Sequence, residues 1–367
     1  MIPLFERYPS LRATLPFVAL GAYPTPLLDA ARLDAGNQCA GITIKHDGVS
    51  GRPYGGNKVR KLEFLLGDAQ ARGKTEVLTF GGAGSNHALA TAMYAKKLGL
   101  ASHLLLLKQP NSHSLRSNLL RLLKTGARLR HFESMTGLVA GTILQSAGKL
   151  AAGKELPYFI APGGSSPLGL LGYVNAAFEL NAQVASGELE PPDVIYIACG
   201  TMGSSVGLAL GLAILGLKTR VCSVAVTDTR FSSMARAKKM FRDATALLIE
   251  ADSSIPGTRF EDCGLELRHD FFGGEYGRYT DAGIAAVRQL EAVIGLRIEG
   301  CYTGKCLAAL IEDLRADRLA GRRVLFWNTY DAQGTAHSSH GLDYHDLPNA
   351  FHQYFEDDVQ PLDRSRS

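Results

Sequence analysis

Short apolar runs rich in Val, Ile, Leu and Phe alternate along nearly the whole chain with segments whose apolar residues recur every three or four positions. That alternation is the pattern of a mostly parallel sheet buried between helices, and it predicts an α/β protein. Val77 to Phe80 reads as a strand, 81–84 as a glycine turn, Asn86 to Lys97 as a helix and Ser102 to Leu107 as the next strand, which makes a βαβ unit. The alternation continues with helices over Leu115–Lys124 and Thr142–Ala151 and strands over Arg128–Phe132 and Tyr158–Ala161. Val194 to Ala198 then feeds a glycine-rich turn and a long helix. Strands at Arg220–Val226 and Arg323–Trp327 bracket helices at Asp281–Ile294 and Lys305–Ala316. No fixed-period repeat and no linker is visible, which favours one domain inserted in another over two in series. Phe351 to Ser367 turns polar and charged and is expected to be a docked or frayed tail.

Composition adds bounds. With 367 residues, 46% hydrophobic and 20% charged, the chain can build two ordinary cores, and fibrous or disordered classes are excluded. A net charge of +4 is too small and too dispersed for a nucleic-acid or anionic-membrane surface, so small molecules are the expected partners. Cys39, Cys199, Cys222, Cys263, Cys301 and Cys306 form no CxxC pair and read as reduced thiols of a cytoplasmic protein. The N-terminus brings Glu6 and Arg7 before any apolar run, unlike a signal peptide. The longest apolar stretch, Val206 to Leu217, falls short of the roughly 20 residues of a membrane span. His337, His340 and His345 fit no zinc-site spacing, so no metal is expected.

The segment Gly55-Gly56-Asn57-Lys58-Val59-Arg60-Lys61-Leu62-Glu63 carries the most chemistry. Offsets of four, seven, eight and eleven from Lys58 reach Leu62, Leu65, Leu66 and Ala69, which puts Lys58 on the inward face of a predicted helix. At a helix start and inside the protein, its ammonium meets the positive end of the helix dipole and loses solvation. Both effects favour the neutral amine that Schiff-base chemistry needs. The same spacing also fits a lysine snorkelling from a helix end. Arg60 and Lys61 read as the solvated flank.

Two further turns follow strands and open helices. Cys199-Gly200-Thr201-Met202-Gly203-Ser204-Ser205 has the small residues and hydroxyls that let backbone N–H groups converge on one phosphate. It lacks both the GxGxxG fingerprint and the GK[ST] ending of nucleotide loops. Tight packing alone is the other reading of such a turn. In Gly81-Gly82-Ala83-Gly84-Ser85-Asn86-His87, Ser85 fits a helix N-cap, and Ser85 with Asn86 could form a polar cup for a carboxylate or phenolate oxygen.

These stretches, taken with Glu275-Tyr276-Gly277 and Tyr302-Thr303-Gly304-Lys305, resemble the D-cysteine desulfhydrase and 1-aminocyclopropane-1-carboxylate deaminase family of pyridoxal-phosphate enzymes. The resemblance runs from about residue 24 to 327. It implies two open twisted, mostly parallel sheets flanked by helices, with residues 1–60 and 171–367 as a larger cofactor-binding domain and 61–170 as an inserted smaller one. The cofactor, pyridoxal 5'-phosphate, would lie in the cleft between them, and the protein would be a homodimer. Lys58 would carry the cofactor as a Schiff base. Asn86 would bond the cofactor's ring oxygen and, with Ser85 and His87, seat the substrate carboxylate. Gly200, Thr201, Met202, Gly203 and Ser204 would wrap the phosphate, and Thr329 would face the pyridine nitrogen. Tyr276 and Tyr302 would face the substrate, one as acid/base or nucleophile, although each also fits a plain aromatic wall.

A hydroxyl at the pyridine nitrogen leaves the ring less firmly protonated than a carboxylate would, which favours elimination over transamination. Thr303 and Thr329 are similar to the desulfhydrase branch, where ring-opening deaminases carry Glu and Leu. The implied reaction is removal of the β-substituent from a D-cysteine-like amino acid, giving a 2-oxo acid and ammonia. The chain departs from the family in Tyr330-Asp331-Ala332-Gln333 after Thr329, in Gly51-Arg52-Pro53-Tyr54, in Ala88-Leu89-Ala90 and in Cys301. A bulkier, charged edge to the pocket is expected from them. They leave open β-replacement, deamination of a larger or acidic amino acid, and a catalytically silent cofactor-binding role.

Overall fold

Two sheets carry the architecture of the computed structural model, which describes residues 2–34, 36, 38–331 and 341–364. Short helices α1 (Pro3–Arg7) and α2 (Leu11–Thr14) precede strands β1 (Leu27–Asp29) and β2 (Gly41–His46), and helix α3 (Asn57–Ala71) follows. The chain then alternates β3 (Glu76–Gly82), α4 (Asn86–Lys97), β4 (Ala101–Leu107), α5 (His113–Leu123), β5 (Arg128–Phe132), α6 (Met135–Ala151) and β6 (Tyr158–Ile160). Beyond α7 (Pro167–Ala185) come β7 (Val194–Cys199), α8 (Gly203–Ile214), β8 (Arg220–Ala225), α9 (Met234–Ala251), β9 (Leu265–Arg268), α10 (Asp281–Ile294), α11 (Thr303–Arg315) and β10 (Arg323–Asn328).

The smaller sheet has order β5-β4-β3-β6 and is parallel throughout. The larger has order β1-β2-β10-β7-β8-β9 and is parallel except for its β1 edge. The expected α/β class and the two mostly parallel sheets are therefore observed. Parallel strands bring their carboxyl ends to one side, where open α/β sheets place ligands. Here β3 ends before Ser85, β7 before Gly200 and β10 before Thr329.

Some elements were not visible in the pattern. Helix α7 is buried nearly all round, from Gly169 to Leu180, so it has no polar face to mark its period. Helix α6 begins at Met135, well before the expected Thr142, because Ser134 caps it by accepting the Gly137 N–H at 3.2 Å. The C-terminal tail docks: Phe351 and Tyr354 are buried against α4 and α5 residues, and Asp363 accepts the His113 N–H at 2.6 Å. Of the three C-terminal histidines, His337 and His340 lie outside the described residues. No group of metal-ligating side chains occurs among the described ones.

The larger correction concerns Arg60 and Lys61, which are buried, at 0% and 2% exposure, rather than solvated. Gly172 lets α7 approach α3 closely, since a Cβ there would stand 2.1 Å from the Arg60 carbonyl oxygen. Behind this contact the Arg60 guanidinium bonds Asp47 at 2.7 Å and Glu179 at 2.7 Å, and Lys45 bonds Glu179 at 2.6 Å. Tyr173 and Trp327 each donate to Asp47 Oδ2 at 2.8 Å. Two cations thus balance two anions where β2, α3, α7 and β10 meet. Burial would raise the Glu179 carboxyl, but Arg60 and Lys45 outweigh it and hold it down at about 2.

Removing one partner of such a cluster strands buried charge, which costs about 3–5 kcal/mol. Arg60→Met is expected to lower unfolding free energy by about that amount, read by guanidinium titration of the fluorescence of Trp327, the single tryptophan. Glu179, depressed in the folded state, contributes stability above its ordinary value of 4.5 that is lost as pH falls toward 2.

Candidate active site

Lys58 sits in the first turn of α3, and the backbone before it is tied across the fold. The Asn57 N–H donates to the Thr329 carbonyl at 3.1 Å, and the Gly55 N–H donates to Asp331 Oδ1 at 2.9 Å. With Arg60 locked two residues later, Lys58 projects into a cavity of about 420 Å³. Burial pushes its amine down from 10.5 to about 8. Ser85, His87, Gly200, Thr201, Tyr276 and Tyr302 line the same cavity.

One end of the cavity is built for an anion. Helix α8 begins at Gly203, after Met202 takes a left-handed backbone (φ 69°). A Cβ on Gly203 would fall 2.4 Å from Ser165 Oγ and 2.5 Å from Lys61 Nζ. Thr201 Oγ1 lies 2.7 Å from Ser165 Oγ, and Lys61 Nζ donates to the Gly163 carbonyl at 3.1 Å and to Ser165 Oγ at 3.3 Å. Burial, aided by the charge of Lys58, holds the Lys61 amine well below its ordinary range. A buried amine whose bonds go to neutral oxygens, and which an anion would hold protonated, stands beside a helix N-terminus and hydroxyls in a donor set that fits a phosphate. Ser204 and Ser205 stand differently: Ser204 Oγ accepts from Asn57 Nδ2 at 3.0 Å, and Ser205 Oγ is engaged by Ser223 at 2.7 Å. Ser205, expected as a possible donor, therefore points to β8.

Ser85 caps α4 as expected, accepting the Ala88 N–H at 3.2 Å, which leaves its own proton free to donate. His87 is neutral, because burial and the two lysines push it well below its ordinary value. Thr79 Oγ1 donates to the Ile160 carbonyl at 2.9 Å, so the 3.0 Å contact with His87 Nε2 has the imidazole as donor. Its Nδ1 is then a buried acceptor without a protein partner among the described residues. Asn86 faces an adjoining polar chamber with Gln109, Tyr276, Tyr302 and Tyr330. Asn118 donates to its Oδ1 at 2.8 Å, which leaves the Asn86 amide N–H groups to donate. Tyr302 donates to Tyr276 at 3.0 Å across an edge-to-face pair. Burial pushes both phenols above their ordinary value, so they are proton-bearing groups.

One residue that matters was missed. Glu299 takes the N–H groups of Cys301, Tyr302 and Thr303 at 2.6, 2.6 and 2.9 Å and thereby fixes Tyr302 at the start of α11. Its signal was an acid just ahead of a helix. Asp331 is buried and pairs with Arg121 at 2.9 Å. The expected charged pocket edge is therefore corrected: the carboxylate turns inward and ties α5 to the loop before Lys58. Ala332 and Gln333 lie outside the described residues. Thr329 is buried beside Gly56, with its carbonyl on Asn57.

Comparison with known proteins shows the family. The family described as pyridoxal-phosphate dependent enzymes matches residues 18–329. A provisionally named 1-aminocyclopropane-1-carboxylate deaminase of Pyrococcus horikoshii is 34% identical over 89% of this chain and 95% of its own. A D-cysteine desulfhydrase of Klebsiella pneumoniae is 33% identical over 86% of this chain and 93% of its own. The crystal structure of an ACC deaminase homologue superposes with a TM-score of 0.75 at 31% identity, covering 92% of this chain and 96% of that one.

The lowered amine gives a direct expectation. In the cofactor-free protein, acetylation of Lys58 by trace acetic anhydride, read by peptide mass spectrometry, should reach half its maximal rate near pH 8, since only the neutral amine reacts. A midpoint near the ordinary 10.5 would mean that the cavity does not desolvate it.

Proposed function

The chain belongs to the pyridoxal-phosphate dependent enzymes and is a lyase of that family, and from this premise we propose that it removes the β-substituent of a D-cysteine-like amino acid to give a 2-oxo acid and ammonia. The observation that carries the reading is one cavity holding a lowered amine, Lys58, against two proton-bearing phenols, Tyr276 and Tyr302. A base and an acid lining one cavity are what α-proton removal and leaving-group departure require.

The residues present fit the cofactor. Lys58 would hold its carbonyl carbon and Lys61, Thr201 and the Gly203 N–H its phosphate, while Gly200, Met202 and Ser204 shape the turn; Asn86, in the adjoining chamber, and Thr329, which does not line the cavity, are assigned to its ring oxygen and ring nitrogen by the family resemblance alone. Pyridoxal phosphate, when bound, supplies the electron sink that makes the α-proton of an amino acid acidic. Ser85 Oγ donates to the substrate carboxylate, its lone pair being engaged by Ala88. His87, neutral, contributes an acceptor rather than a charge. Lys58 Nζ takes the α-proton, for which an amine titrating near 8 is suited at neutral pH. Tyr302, held by Glu299, and Tyr276 form a two-hydroxyl path that delivers a proton to the departing group. With D-cysteine that group leaves as sulfide.

The reading extends to organisation. Residues 1–60 and 171–367 are assigned to the larger domain and 61–170 to the inserted smaller one, a division supported by the four-stranded sheet lying wholly within 76–160, with the C-terminal tail around Phe351 and Tyr354 crossing over to pack on α4 and α5. A homodimer follows from the family resemblance. Six free thiols support a reducing, cytoplasmic setting, and among the described residues no helix is long and apolar enough to cross a membrane.

The test is absorbance of the purified protein before and after borohydride, peptide mapping of the reduced label, and pyruvate release from D- and L-cysteine. A yellow chromophore fixed on Lys58 and pyruvate from one enantiomer are expected. Lys58→Ala should lower turnover about 1,000-fold or more, and Tyr302→Phe about 100-fold. Full turnover by Lys58→Ala, or a protein that takes up no cofactor, would sink the proposal.

A further inference from the structure

The cavity that holds Lys58 also has apolar walls. They are Phe80, Leu107, Met135 and Leu138 on the smaller-sheet side and Phe231 and Phe272 on the other, and we take them together as its outer chamber. Phe80 and Leu138 belong to one buried apolar cluster, with Leu107 packed against it. Such walls reward apolar surface and penalise an unpaired charge.

Charged groups at the mouth are already satisfied by their own neighbours. Lys108 pairs with Glu133 at 2.9 Å, Arg230 with Asp228 at 2.8 Å, and Glu275 with Arg278 at 2.7 Å. His87 is neutral and Lys58 is committed to the chemistry. Apart from those two, each charged side chain lining the cavity among the described residues thus has its counter-ion, and an acidic β-substituent would have to compete with a carboxylate already in place. An apolar group would displace nothing.

We propose that this outer chamber receives an apolar β-substituent, so that the preferred substrate is a cysteine thioether bearing an alkyl or aryl group rather than cysteine itself or an acidic amino acid. The inference rests on the lyase reading above and specifies its substrate. The overall reaction balances as R–S–CH2–CH(NH3+)–COO− plus water giving R–SH, pyruvate and ammonium. The Cβ–S bond breaks, sulfur keeps the pair and takes a proton, and no oxidant or reductant is consumed. Tyr276 and Tyr302 line the same cavity as Lys58 and Phe272, where a departing thiolate could be protonated.

The experiment uses the holoenzyme with both enantiomers of cysteine and of S-benzylcysteine, assaying pyruvate and free thiol. In parallel, calorimetry compares binding of S-benzyl-α-methylcysteine, which has no α-proton to lose, with α-methylserine. Burying a benzyl group should favour the thioether roughly tenfold to a hundredfold in both kcat/KM and affinity. Met135→Asp, at an exposed position of the wall, should shrink both ratios by roughly tenfold. Equal or weaker binding and turnover of the benzyl compounds, with pyruvate still formed from cysteine, overturns the substrate assignment and leaves the lyase reading intact. Tight binding of the benzyl analogue without pyruvate from any compound supports the apolar chamber and overturns the lyase reading instead. Ratios unmoved by Met135→Asp would remove the chamber from the recognition and overturn the proposal.

Discussion

The position of the reactive amine depends on a guanidinium that touches nothing reactive. Arg60 bridges Asp47 and Glu179 in full burial, and those carboxylates come from the end of β2 and from α7. Because Arg60 follows Lys58 by two residues in the same helix, its lock sets the rotation of α3 and so the direction of the lysine. Charge balance makes the lock tenable: Lys45 supplies the second cation, and Tyr173 and Trp327 fill the remaining acceptor capacity of Asp47. Loss of any one partner would strand buried charge, so the cluster holds one geometry, and here that geometry is the one of the first turn of α3.

The same helix carries two amines with opposite requirements. In the roles proposed, Lys58 would lose its proton to act, whereas Lys61, one turn on, would serve as a cation beside Gly203. In the protein alone burial depresses both, and each further depresses Lys61 or His87 by repulsion. An anion in the cradle of Gly203, Thr201 and Ser165 would restore the charge of Lys61. It would do less for Lys58, which faces the cavity rather than the cradle. Anion binding and amine reactivity are therefore separated by a single helical turn, and neutral His87 between them avoids a third competing charge.

How much of this was legible in the sequence follows from what each residue's partners are. Lys58, Ser85 and the 199–205 turn depend on local context, a helix start after glycines or a strand-to-helix turn, and local context is written in neighbouring residues. Arg60 and Lys61 were misread as solvated because charge at a helical position ordinarily marks the outer face. Only the approach of α7, 112 residues from Arg60 at Gly172, turns that face inward. Glu299 and Asp331 acquire meaning only through the backbone they hold, at Tyr302 in one case and at Gly55 in the other. Helix α7 hid for the complementary reason: full burial erases the polar stripe by which periodicity is recognised.

The departures from the resembled family near residue 330 follow from the same geometry. A carboxylate two residues past Thr329 could have crossed the pocket and selected a cationic or hydrogen-bonding substrate. Instead Arg121, which also packs over Tyr54, draws Asp331 toward α5, and Asp331 in turn takes the Gly55 N–H. The acid thereby joins the smaller sheet's helix to the loop that presents Lys58, and it is spent on position. With Asp331 withdrawn and the rim charges paired among themselves, the character of the outer cavity is left to Phe80, Leu107, Met135, Leu138, Phe231 and Phe272. On the proposal made above, selectivity would then come from apolar fit, and changes in the wall would redirect the substrate without disturbing the amine.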